Sequence, residues 1–84
     1  MKHAGSAALD EIEPLIERLR ALPGLKEKSR GVFYLKSRAF LHFHEDLKGL
    51  FADVRTVDGK AFERFKVDDP SSWDGFVEVA RARS

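Results

Sequence analysis

His42-Phe43-His44-Glu45-Asp46 is the stretch of this chain whose residue types and spacing could do chemistry. On a strand, His42 and His44 at i and i+2 point to the same side, as a pair of metal ligands must. A site also needs a third donor, and Glu45, Asp46 and Asp53 are the candidates close by. Two imidazoles without a defined third ligand more often pair with carboxylates or aromatics on a partly solvated face, so no metal and no cofactor is expected. General acid or base work by either histidine is chemically sound. No pocket partner is evident for it, however, and no enzymatic activity is expected.

Other catalytic patterns are missing. Gly24, Gly31, Gly49, Gly59 and Gly75 stand isolated, so no glycine-rich phosphate loop is present. No serine has the strand-to-helix elbow spacing of a hydrolase nucleophile. Asp68-Asp69 and Glu45-Asp46 sit beside turns or caps, where acidic residues serve structure. The absence of cysteine excludes a disulfide framework, a thiolate zinc site and a cysteine nucleophile. It also suits a reducing cytoplasm, the expected compartment. No apolar run approaches the roughly 18 residues of a membrane span, and the apolar stretch from Ala4 to Leu9 is too short for a signal peptide. No membrane partner is expected. Fifteen Lys and Arg against fourteen Asp and Glu leave a net charge of +1. That near balance argues against general nucleic-acid binding, which draws its affinity from phosphate neutralisation.

The elements that must position these residues follow from periodicity. The 84 residues make one domain, and an apolar content of 43% with seven Phe, one Trp and one Tyr is ample for a core. Residues 1–8 are expected to be flexible. Leu9, Ile12, Leu15, Ile16, Leu19 and Leu22 recur at three- and four-residue steps, which predicts a helix over about 10–22. Pro14 suits a first turn, placing the firm start near Glu13. Pro23-Gly24 ends the helix, and Leu25 to Gly31 reads as a charged connector. Four strands follow: Val32–Leu35, Ala39–His44, Leu50–Arg55 and Ala61–Val67, with a tight primed turn expected at Asp58-Gly59. Asp69 and Pro70 then open a helix over about 70–82. Its stripe of Trp73, Phe76, Val77 and Ala80 places Trp73 in the core.

The order α-β-β-β-β-α predicts an α+β fold, a four-stranded antiparallel meander with both helices on one face in a two-layer sandwich. Alternation assigns Ala39, Leu41, Phe43, Leu50, Ala52, Val54, Phe65 and Val67 to the covered face. The other face then carries Arg38, Phe40, His42, His44, Phe51, Asp53, Arg55, Phe62, Arg64 and Lys66. An exposed surface of aromatics, histidines and cations marks a contact surface. The expected function is therefore a non-enzymatic interaction domain that self-associates through this face or its edge as a homo-oligomer. The alternative is a nucleic-acid-binding module with Phe40, Phe51 and Phe62 as stacking platforms and Arg38, Arg55, Arg64 and Lys66 on the backbone.

The helix end Ala21-Leu22-Pro23-Gly24-Leu25-Lys26-Glu27-Lys28, followed by a strand carrying Lys36 to Phe40, resembles the MmcQ/YjbR-like family of small bacterial proteins. Ser37-Arg38-Ala39-Phe40 stands at the place of that family's short lysine- and phenylalanine-bearing strand. The resemblance spans roughly residues 9–80. It implies a two-layer sandwich of the CyaY-like type, for which DNA binding has been proposed and no catalytic residues are established. This chain lacks the Trp-Gly that follows the connector in the family, and no residue role carries over.

Overall fold

Pro14 has no N–H to offer the carbonyl of Asp10, and the first helical stretch breaks in front of it. The computed structural model, which describes residues 2–84, has α1 at Ser6–Glu11 and α2 at Glu13–Arg20, with Pro14 in the first turn of α2. Ile12 carries the chain across the break: its N–H donates to Leu9 O at 3.2 Å and its carbonyl accepts from Ile16 N at 3.0 Å. The expected single helix over 10–22 is thus two, and it ends earlier. Of the first eight residues, expected to be flexible, Met1 lies outside the described ones, Lys2–His3 form strand β1, and α1 begins at Ser6.

The charged stretch after Gly24 is not a connector but strand β2 (Leu25–Ser29). It is followed by β3 (Val32–Leu35), β4 (Arg38–Asp46), β5 (Gly49–Arg55) and β6 (Phe62–Lys66). The sheet is antiparallel and ordered β2-β3-β4-β5-β6, so the meander has five strands rather than the expected four. β1 is added beside β4. A strand of sequence LKEKS tolerates its position because it is an edge. Lys26 and Lys28 are exposed there, and charged side chains blunt an edge against further pairing. Glu27, between them, is half-buried and satisfied by Arg20 and by the backbone N–H of Gly31.

The tight turn expected at Asp58-Gly59 lies instead between β3 and β4. Lys36 (φ 52°) and Ser37 (φ 73°) form the tight two-residue turn between β3 and β4, both left-handed and neither glycine. That conformation costs an L-residue roughly 1–2 kcal/mol. Asp58-Gly59 instead sits in a wider loop closed by Thr56 N donating to Ala61 O at 2.8 Å, and Gly59 alone takes a positive φ there.

β4 contains a bulge. Phe33 pairs with Leu41 and Tyr34 with Ala39, which leaves Phe40 as the extra residue. Alternation therefore slips by one, and Phe40 turns inward beside Leu41, 3% and 0% exposed. Phe40 is removed from the open face to which the sequence assigned it.

The buried apolar residues form one cluster. Leu9, Ile12, Leu15, Ile16 and Leu19 from α1, α2 and their junction meet Phe33, Phe40, Leu41, Phe43, Ala52 and Val54 from the sheet. The third helix, α3 (Trp73–Arg83), adds Trp73, Phe76 and Ala80 to the same cluster. It starts as expected: Asp69 accepts from Ser71 N at 3.0 Å, and Pro70–Ser72 make one 3-10 turn before it. The Trp73 indole N–H is satisfied by Val67 O at 2.8 Å.

Two cavity-forming substitutions test this packing. Trp73→Ala and Phe40→Ala should each cost about 3–5 kcal/mol, enough to leave a domain of this size largely unfolded. Phe62→Ala, on an exposed ring, should cost about 1 kcal/mol or less. Denaturant melts followed by circular dichroism separate the cases. A Phe40→Ala variant as stable as Phe62→Ala would place Phe40 back on the open face.

Candidate metal centre on the sheet face

The third candidate ligand that His42 and His44 lack in sequence arrives from the start of the chain, some forty residues away. β1 lies antiparallel to β4 with His3 opposite His44, and directly paired residues project to the same side of a sheet. The arm is held by Ala4 N donating to Phe43 O at 3.1 Å and Gly5 N donating to Glu45 Oε2 at 2.5 Å. His3, His42 and His44 each bring a ligand atom within 4.8 Å of the others. Their ring centres lie 4.7 Å (His42–His44), 4.9 Å (His3–His44) and 5.6 Å (His3–His42) apart. Around a tetrahedral zinc with Zn–N bonds of about 2.0–2.1 Å, imidazole centres stand about 5.2 Å apart. The observed spacings bracket that value.

The neighbouring strands supply the surroundings. Asp53 on β5 pairs with His42 and, on its other side, with Arg64 on β6. Its carboxylate accepts from Arg64 Nε at 2.7 Å and Nη2 at 2.8 Å, and its Oδ2 reaches diagonally to within 3.3 Å of His44 Nε2. A carboxylate against the outer nitrogen of an imidazole is the arrangement that orients a metal-bound histidine. With Nε2 facing Asp53, Nδ1 is the nitrogen of His44 left to ligate. His44 Nδ1 and His42 Nδ1 are both buried without a hydrogen-bond partner among the described residues. Buried polar atoms are rarely left so, and a metal would satisfy them.

Charge favours the ligating form. Burial pushes the pKa of His42 below its ordinary value, and the neighbouring His44, His3 and Arg64 push the same way against the pull of Asp53. Asp53, only 7% exposed, would be raised by burial, but the Arg64 guanidinium holds it below the usual carboxylate range. The site thus pairs an ionised carboxylate with a neutral imidazole.

The other residues assigned to this face divide. Phe62 packs on His42 with centres 5.0 Å apart and lies under the Arg55 guanidinium at 4.6 Å. Phe51 is half-buried opposite His44, and Lys66 lies 3.9 Å from Asp68. Arg38 belongs elsewhere, donating to Gly59 O at 2.9 Å at the far end of the sheet. With Phe40 in the core, a row of three exposed stacking rings is not formed, which weakens the nucleic-acid alternative. Glu45 and Asp46, candidate third ligands in sequence, accept from the backbone at Gly5 and Lys48. His3 carries no periodicity signal; the one clue was that the chain has three histidines in all.

Comparison with family models, with curated proteins and with solved structures returns no match. What the fold and site define is an α+β domain with a three-imidazole cluster on its sheet.

The His42 shift sets a pH dependence for the metal-free protein. Its folded pKa lies below the ordinary 6.5, so below about pH 6.5 the unfolded chain takes up the proton first and stability falls. The loss levels off once pH has dropped past the folded value. Asp53 acts lower: its stabilisation is present above 3.8 and is lost as pH falls through its depressed folded value. The groups facing His42 are His3, His44, Asp53 and Arg64. Urea midpoints measured with chelator should fall between pH 7 and 5, and His42→Gln should flatten that slope. An unchanged slope in His42→Gln would assign the dependence to other groups.

Proposed function

We infer that this chain is a non-enzymatic domain that binds one divalent first-row transition ion through His3, His42 and His44. The observation carrying this is that all three histidines of the chain, one near its start and two near its middle, meet at ligand spacing. Three imidazoles suit Zn²⁺, Cu²⁺, Ni²⁺ or Co²⁺ and leave a fourth position for water or another donor. Asp53 supports the site without entering it, and its tie to Arg64 makes it a weak base, so the arrangement favours binding over hydrolytic chemistry. Helices packed on the Leu41 and Phe43 side of the sheet would leave the histidine side accessible to the ion.

Bound metal would fasten β1 to β4, an attachment that rests on few residues. At a hundredfold excess over Kd the ion adds about 2.7 kcal/mol to stability, raising the Tm of a domain this small by about 10–20 °C. Calorimetric titration of chelator-treated protein with Zn²⁺ should show one site, and Co²⁺ should develop the visible bands of a low-symmetry four-coordinate ion. His3→Ala, His42→Ala and His44→Ala should each abolish saturable binding, while Asp53→Asn weakens it about 10–100-fold. Undiminished Zn²⁺ binding by His3→Ala would overturn the assignment.

A further inference from the structure

Most arginines in this protein are neutralised by a neighbour. Arg18, Arg20, Arg30, Arg64, Arg81 and Arg83 each contact a carboxylate. The remaining two, Arg38 and Arg55, have no carboxylate partner among the described residues, and they line the same cavity. It lies where the β3–β4 turn, the β5–β6 loop and the last turn of α3 converge, and it measures about 190 Å³. An engineered cavity of about 150 Å³ is large enough to take up benzene. Leu35, Ala39 and Phe40 supply an apolar floor, and Lys36 and Arg83 complete a cationic rim.

We propose that this cavity binds a small organic acid: a compact, apolar or planar body carrying one carboxylate or phosphate head. Both guanidinium groups are held before a ligand arrives. Gly59 O accepts from Arg38 Nη2 at 2.9 Å and from Arg55 Nη1 at 2.8 Å, and Ala39 O accepts from Arg55 Nε at 2.7 Å. A guanidinium has five N–H donors, so each fork keeps donors free for an oxyanion in the bidentate geometry that arginine favours. Lys36, a third rim cation with no carboxylate partner among the described residues, is presented by the left-handed turn at Lys36 and Ser37. Both residues take positive φ because a two-residue hairpin turn requires it, and that turn fixes where the Lys36 side chain leaves the backbone. The Phe40 bulge serves the same place, because it turns the ring inward to form the floor. Arg83 contributes less charge, being matched by Glu63 at 2.5 Å.

The site is independent of the histidines, and the test can be run on metal-free and metal-loaded protein alike. Benzoate and phenyl phosphate are the probes, with benzamide as the neutral isostere and inorganic phosphate as the head without a body. Titration followed by ¹H–¹⁵N NMR should show saturable one-to-one binding of at least one aromatic acid. Its shifts should centre on Arg38, Arg55 and Phe40; whichever acid binds more tightly identifies the head group. Arg38→Gln should weaken binding at least tenfold. Lys36→Gly should weaken it to a similar degree while leaving the melting temperature equal or higher, because glycine is at ease at positive φ. That split separates ligand recognition from folding. Benzamide binding as tightly as benzoate, or inorganic phosphate as tightly as phenyl phosphate, would overturn the proposal. So would an oligothymidylate that binds here when neither aromatic acid does.

Discussion

Every other strand takes its register, directly or through a neighbour, from β4, and the nine residues of Arg38–Asp46 do this by dividing one of their edges. β5 runs along one edge from Leu41↔Val54 to Asp46↔Gly49. The other edge is shared: β3 takes Arg38 to Leu41 and β1 takes His44 and Glu45. A single hairpin partner as long as β4 would have filled that edge and left no place for the N-terminal arm. Because β3 is only four residues long, the distal half of β4 is free to receive β1, and His3 comes with it. The bulge at Phe40 falls within the β3-paired half, so His42 and His44 keep strict alternation beyond it.

Placing Asp53 in the middle of this sheet carries a desolvation cost that an apolar residue would avoid. Arg64 offsets it with two parallel hydrogen bonds, and the nearby His44 adds to the stabilisation of the anion. A buried carboxylate with both oxygens committed in this way fixes more than its own position. It determines which His44 nitrogen faces the sheet interior and which is left over. The ion pair is therefore better understood as a device for orienting a ring than as a source of stability. A hydrophobic pair at Asp53 and Arg64 would remove the carboxylate that His44 Nε2 faces.

What is legible in the sequence is what repeats locally. The start of α2 at Glu13, the cap at Asp69 and the strands from Val32 onward all carry their own periodicity or end signals, and so does the i, i+2 pairing of His42 with His44. β2 is hidden because its single large apolar residue, Leu25, leaves no stripe; Glu27 occupies the next inward position as an ion-paired carboxylate. β1 is hidden because two residues have no period at all. The bulge has no local marker, and it alone moved Phe40 from one face to the other. The missing third ligand shares this character, since contact between residues 3 and 44 arises from strand pairing across the chain and no window of neighbouring residues contains it.

Net charge misleads in a related way. A total of +1 describes the field of this molecule only if its charges are evenly mixed, and they are not. Arg20 is surrounded by Glu13, Glu17 and Glu27, and Arg30 by Asp10 and Glu13, so the α2–β2 corner cancels within itself. At the opposite end of the sheet, Arg38 and Arg55 give their hydrogen bonds to backbone carbonyls, which orient a guanidinium without neutralising it. Arg55 also lies over Phe62, whose ring packs on His42, so one aromatic side chain separates that cationic end from the imidazoles. That ring contributes no charge of its own, and the guanidinium and the imidazole lie on either side of it. A chain with nearly balanced charge thus keeps one locally cationic cavity and one cluster of imidazoles on the same small sheet.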